Sequence, residues 1–204
     1  MEKESLKSDT KFNLLDRDSF NVAIISVFSA LTVLVGYLLY AIPNFELFSL
    51  MLFFCGFSFG KKNGLFISVI SVTIFCFLNP MGPSHILLFA TQISLYSILS
   101  LLGFFSFKYL KNKEYFKPTE DLFVLRVLIL LGAVGFSWTF IYDIIATIGG
   151  YLPFIELSFE VWIPIFIAGI PFSVIHIVSN TLLYIFVLPA IIQISSKLFK
   201  ISEF

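Results

Sequence analysis

The sequence predicts an all-α membrane protein, a six-transmembrane-helix bundle with both termini in the cytoplasm. Three observations carry this. The 204 residues are 58% hydrophobic and only 13% charged, with a mean hydropathy of +0.98, whereas soluble domains are about 45–50% apolar and about 25% charged. So little charge cannot cover a compact body with polar surface. The apolar residues also gather into six runs, and the basic residues fall on alternate connections between them. With 13 basic and 13 acidic side chains there is no excess to meet phosphates, so nucleic acid is not an expected partner. Disorder is excluded by the same hydrophobicity.

The segment 1–19 is charged and lacks the apolar stretch of a cleavable signal, so the first hydrophobic run is expected to direct insertion. The expected organisation is a cytoplasmic segment over 1–19, one membrane domain over 20–196 and a cytoplasmic tail over 197–204. Run one, 20–42, exceeds the roughly 20 residues that cross about 30 Å of hydrocarbon. It carries Ala23, Ser26, Ser29 and Ala30; Ser26 and Ala30 form a small-xxx-small pair that admits a close helix neighbour, a pattern that also arises by chance. Runs two and three, 45–60 and 64–78, are short and need Lys61 and Lys62 to snorkel outward. Read as a re-entrant hairpin, they would leave those lysines at mid-membrane, which is costly. Runs four and five, 86–107 and 122–149, are long enough. The last, 161–194, is too long for one crossing. Pro164, Gly169 and Pro171 are expected to break it into an interfacial or lid segment, 161–170, and a sixth helix, 171–194.

All the basic residues lie before run one (Lys3, Lys7, Lys11, Arg17), between two and three, around the four–five connection (Lys108, Lys111, Lys113, Lys117, Arg126) or at the end (Lys197, Lys200). The other connections carry only Glu46, Glu156 and Glu160 as formal charges. Positive charge marks the cytoplasmic side, which sets the orientation.

Polar groups inside a span must find partners, so they are the candidate functional residues. In run five Thr139, Asp143 and Ala146 share a helical face, with Tyr142 alongside. In the last run His176 and Asn180 are i,i+4 neighbours, and Ser173 precedes His176 by one turn. Gln92 lies about a third of the way into run four. All fall in the outer halves of their runs, which suggests a cavity opening outward over a dry floor. Two readings stay open for each. Asp143 and His176 either meet a ligand or pair structurally. Gln92 and Asn180 either bind or form interhelical hydrogen bonds of about 0.6–2 kcal/mol. Phe45, Trp138, Tyr151 and Trp162 are either ligand contacts or interface anchors. Pro43-Asn44 and the stretch Asn79 to His85 are stiff, nearly uncharged connections over such a cavity, or plain hairpin turns.

Enzymatic readings find little support. Cys55 and Cys76 sit in apolar runs without ligand or redox spacing and read as small hydrophobes. There is no Walker A and no H-E-x-x-H, and two histidines do not make the usual zinc site. Gly56-Phe57-Ser58-Phe59-Gly60 matches Gly-x-Ser-x-Gly, but Ser58 falls near the inner end of its run and His176 in an outer half, which leaves the serine without a base. No catalytic residue, metal or cofactor is expected, and the absence of ion-pair chains argues against a stand-alone proton pump.

Taken in order, Ala41-Ile-Pro-Asn-Phe-Glu-Leu47, Phe59-Gly60-Lys-Lys-Asn-Gly64, Leu78-Asn79-Pro80-Met-Gly82-Pro83, Phe140-Ile-Tyr142-Asp143 and Gly169-Ile-Pro171-Phe172 through His176 and Asn180 to Pro189 resemble the substrate-binding S component of energy-coupling-factor (ECF) vitamin transporters. The resemblance covers the chain from about residue 20 onward. It implies a small six-helix protein of the prokaryotic plasma membrane that binds a vitamin or related micronutrient in an outward pocket. It also implies a membrane-embedded coupling subunit and two cytoplasmic ATPases as partners. The pocket maps onto Asn44, Asn79, Gln92, Trp138, Asp143, His176 and Asn180, with Tyr142 beside Asp143. The coupling-subunit face maps onto Ser26 and Ala30, with Ala23 sharing the role because serine replaces the usual first alanine. Asp143 among aromatics suits a heterocycle with amine or amide donors; cobalamin, riboflavin, a pyridoxal-type compound and a queuosine precursor all fit. The alternative is a non-transporting cell-shape or assembly scaffold of similar size, and a distant third is an intramembrane hydrolase joining Ser58 to His176.

Overall fold

The computed structural model describes residues 18–38, 42, 44–80, 82–156 and 158–199, without the side chains of 198 and 199. Lys3, Lys7, Lys11, Arg17, Ala41, Pro43, Met81 and Lys200, with most of the terminal segments expected at 1–19 and 197–204, lie outside the described residues. The described chain is helical, apart from one isolated bridge between Lys117 and Asp121. Five helical segments are long and apolar enough to cross a membrane: α1 (Asp18–Leu38), α2 (Phe48–Phe77), α3 (Ile86–Leu110), α4 (Leu125–Tyr151) and the stretch Phe159–Lys197. In the last, α5 (Phe159–Leu182) passes through a π turn at Leu183–Val187 into α6 (Leu188–Phe199). The protein is thus built as a membrane protein, and its exterior is correspondingly greasy: Val22, Phe159 and Phe172 are 63%, 85% and 57% exposed.

α2 is not a straight rod. Gly60 has φ 80° and ψ 177°, a conformation that costs other residues heavily. The rings of Phe48 and Phe75 stack with centroids 4.5 Å apart, and Gly64 faces the Cα of Gly56. A straight helix of 30 residues would be about 45 Å long and could make neither contact. The chain therefore doubles back at Gly60, with arms over 48–59 and 61–77 lying side by side and Lys61 and Lys62 exposed at the turn. Lys108 and Lys111, at the end of α3, meet Ser58 and Gly60 around one small cavity, which defines a basic end of the bundle.

Every residue from Phe48 to Phe59 is buried. A helix apolar on all faces belongs in the middle of a bundle, and arm 48–59 is that central helix. α1 covers both arms, through Phe28 against Phe54 and Phe59, Asn63 Nδ2 donating to Asn21 Oδ1 at 2.8 Å, and Ser71 Oγ donating to the Ser29 carbonyl at 3.4 Å. On the other side, α3 packs backbone to backbone. A methyl group at Gly56 would overlap the Ser100 carbonyl, and one at Gly103 would overlap the Phe53 carbonyl. Gly56 and Gly60 of the Gly-x-Ser-x-Gly string thus have packing and turning roles. α4 closes on the π turn, with Gly135 against the fully buried Tyr184, whose ring meets Phe53.

One expectation is corrected. Pro164 and Pro171 stand inside α5 without breaking it, and the division into a lid at 161–170 and a helix starting at 171 does not occur. Each proline removes one helical hydrogen bond. Leaving the helix in an apolar medium would forfeit many more backbone bonds with no water to replace them. The helix geometry changes only at Leu183–Val187.

The glycine contacts are directly testable. Gly56→Ala and Gly103→Ala should each cost about 1–3 kcal/mol through overpacking, read as a lowered melting temperature in detergent. Gly169→Ala, with no atom within 4 Å of its added methyl, should be neutral or stabilising by about 0.5–1 kcal/mol. Equal effects at all three positions would contradict the packing described.

Candidate functional site

The central arm holds about 12 residues, so it rises only about 18 Å from the basic turn. The connection entering it must therefore lie inside the bundle. Asn44 adopts φ 58°, a left-handed conformation that asparagine tolerates, and its carbonyl accepts from Ser179 Oγ at 2.9 Å. Two residues on, Glu46 is turned among the helices: Tyr96 donates its hydroxyl to Glu46 Oε1 at 3.3 Å, and His176 Nε2 stands 3.7 Å from the same oxygen. The other ring nitrogen of His176, Nδ1, lies 2.7 Å from Asp143 Oδ1. One imidazole thus bridges two carboxylates, one from the connection before the central helix and one from α4. Asp143 is about 12 Å along α4 from its end at Tyr151, and Tyr96 about 15 Å along α3 from Ile86. The group is held deep among the helices.

Further polar contacts surround it. Asn180, one turn beyond His176, donates from Nδ2 to Thr139 Oγ1 at 3.1 Å, and Thr139 donates to the Gly135 carbonyl at 2.8 Å. Cys76 donates from Sγ to Gln92 Oε1 at 2.9 Å, and Gln92 Nε2 donates to the Tyr142 hydroxyl at 3.2 Å. The Tyr142 ring lies 5.1 Å from Tyr96, 6.4 Å from Trp138 and, at 80°, 6.2 Å from His176. Three buried atoms of this cluster have no hydrogen-bond partner: Asp143 Oδ2, His176 Nε2 and Asn180 Oδ1. An unmatched buried polar atom typically costs about 1–3 kcal/mol. Beside the cluster a cleft of about 720 Å³ separates α4 from α5; Asn44, Asp143, Thr147, Tyr151, Phe166 and Ser173 are among its lining. That volume lies within the range of small-molecule sites, about 300–1,000 Å³. Among the described residues no group of three His, Cys, Asp or Glu side chains could hold a metal ion.

Gln92, Tyr142, Asp143 and His176 are joined into this cluster, with Asn180 one turn beyond His176 on Thr139; Trp138 extends its aromatic side, and Asn44 borders both cluster and cleft. Asn79 stands in the turn after α2, where its carbonyl accepts from the Gly82 N–H at 2.9 Å. In the same connection His85 accepts at Nδ1 from the Leu88 N–H and meets the Gly150 carbonyl through Nε2 at 3.0 Å. A single neutral tautomer satisfies both contacts, so His85 clips the start of α3 to the end of α4. Ala23, Ser26 and Ala30 lie exposed on α1, while Ser29 is the buried small residue turned toward α2. Ser58 lies at the basic end beside Lys108 and Lys111, and His176 is held by Asp143 and Glu46.

Glu46 is the residue that sequence reasoning missed. Counted as a charge of the outer connections, it is one-quarter exposed, with the His176 imidazole 3.7 Å away. The available signal was its setting, a lone acid in Phe45-Glu46-Leu47-Phe48 with no polar neighbour to keep it in water.

No protein-family model matches the chain, and no curated protein or solved structure does either.

Because His176 and Asp143 lie at 2.7 Å, their removal should be strongly non-additive. Asp143→Ala alone should cost about 3–5 kcal/mol by stranding its partner. The Asp143→Ala/His176→Ala double variant should cost less than the sum of the two single changes, as read from unfolding in detergent. Simple additivity would show that the two groups do not interact.

Proposed function

We propose that this chain is the substrate-specific S component of an ECF-type importer. It binds a vitamin or related micronutrient in an outward-facing pocket and delivers it with a separate coupling subunit and two ATPases. The observation that carries this reading is the cleft of about 720 Å³ with buried, unmatched polar atoms beside it, placed away from the basic end. Its volume favours a ring compound of modest size over a macrocycle. A chain without a nucleotide motif must take its energy from partners, and the exposed small residues Ala23, Ser26 and Ala30 on α1 offer a face for one.

In this reading the basic end lies in the cytoplasm, the two arms of α2 count as separate spans, and six spans of the cell membrane bring both termini inside. Cys55 and Cys76 are buried and should stay silent toward an impermeant maleimide. In intact cells a Glu156→Cys variant should then label, and a Lys61→Cys variant should label only in inverted vesicles. Labelling of both from one side would sink the topology.

The 2.7 Å contact of Asp143 with His176 also supports a second reading, in which the cluster merely locks helices in a non-transporting scaffold. Thermal-shift screening of the purified protein against a vitamin panel separates the two. A transporter component should be stabilised by at least one compound and should co-purify with ATPase subunits. In cells, Asp143→Ala and Asn180→Ala should abolish growth on scarce vitamin. A protein that no compound stabilises and that captures no ATPase is the scaffold.

A further inference from the structure

We propose that the ligand of this site carries a cationic nitrogen, held by the carboxylate of Asp143, the one acid of the cluster that lines the cleft. This rests on the reading of the cleft as a small-molecule site and narrows what it takes.

The first ground is charge. Two carboxyl groups share one imidazole, so even a doubly protonated His176 can offset only one of them. Among the described residues, His176 is the only cationic side chain paired with either acid. The described lysines and Arg126 lie at the opposite end or in the α3–α4 connection. A net charge held among apolar helices is expensive, and a cationic ligand removes that cost.

The second ground is hydrogen-bond polarity. Asp143 Oδ2 and Asn180 Oδ1 are buried and unmatched, and both only accept. Asn180 is 1% exposed and its amide nitrogen is already committed to Thr139. Asp143, on the lining of the cleft, therefore has an acceptor oxygen open to a donor that the ligand can bring. His176 Nε2 lies 3.7 Å from Glu46 Oε1, longer than a hydrogen bond, and that oxygen accepts from Tyr96 instead. The third ground is the surroundings. The rings of Tyr96, Tyr142 and Trp138 lie tilted against one another, with Tyr142 edge-on to His176, and Phe166 and Tyr151 line the cleft. Aromatic faces attract cations as well as flat rings. The chemistry that fits is a ring compound bearing an ammonium or amidinium-type N–H.

The test is titration calorimetry on the purified full chain with three classes of probe: thiamine and pyridoxamine as cations, riboflavin and nicotinamide as neutral rings, biotin and pantothenate as anions. At least one cation should bind, with no anion binding comparably. Asp143→Asn should weaken that binding tenfold or more, and Glu46→Gln, which acts through His176, should weaken it less, while Asp143→Glu restores part of it. Unliganded melting curves identify any variant that has lost its fold, and the same comparison is then made with the remaining one. Binding of neutral or anionic probes alone, or cation binding indifferent to both charge-removing changes, overturns the inference and leaves the small-molecule site standing. No binding by any probe counts against both.

Discussion

The structure depends on a helix that has no outside. From Phe48 to Phe59 every side chain is buried, so the other helices must arrange themselves around this arm, and its length sets where polar groups can go. It is too short to reach the end of the bundle away from the lysines. The connection leading into it must descend between the helices, and that descent carries Glu46 to the level of Asp143 and His176. A longer central arm would leave the same glutamate among surface groups. The cluster is thus a consequence of packing: a carboxylate delivered by chain geometry meets one that α4 supplies from a helical face.

This explains what could be read from the sequence and what could not. The long apolar runs were visible because each exceeds or approaches membrane thickness. Gln92, Asp143, His176 and Asn180 stood out because polar residues are conspicuous among Leu, Ile and Phe. Their helical spacing placed Thr139 with Asp143, and His176 with Asn180, on shared faces. Glu46 was conspicuous as a lone acid, but its depth could not be read. The depth of a connection is fixed by the lengths and crossings of the helices it joins, and nothing in Phe45-Glu46-Leu47 records them. The partners of Gln92 were hidden likewise, since Cys76 and Tyr142 come from other helices.

The prolines teach the complementary lesson. In water, two prolines and a glycine within eight positions would be strong grounds for ending a helix. Here α5 runs through Pro164, Gly169 and Pro171 unbroken, because without water a broken helix has nowhere to place its freed carbonyls. The change of pitch falls instead at Leu183–Val187, just ahead of Pro189. There Tyr184 reaches the Ser49 carbonyl at 3.4 Å and packs against Gly135. Pro189, which has no N–H for the Ile185 carbonyl, and the fit of Tyr184 both act where this helix changes geometry.

The enclosed helix also has a history. A ribosome makes residues 48–59 second among the helices, when only α1 exists to cover them. The remaining walls, α3 and the π turn with Tyr184, emerge later, the last of them more than 120 residues downstream. Until then its Phe side chains can rest against lipid, which is as apolar as their final neighbours. Glu46, whose partners Tyr96 and His176 come later in the chain, has no such substitute. Completion of the protein is therefore timed by its C-terminal third, and a chain released early would leave its own centre as the surface that quality control meets first.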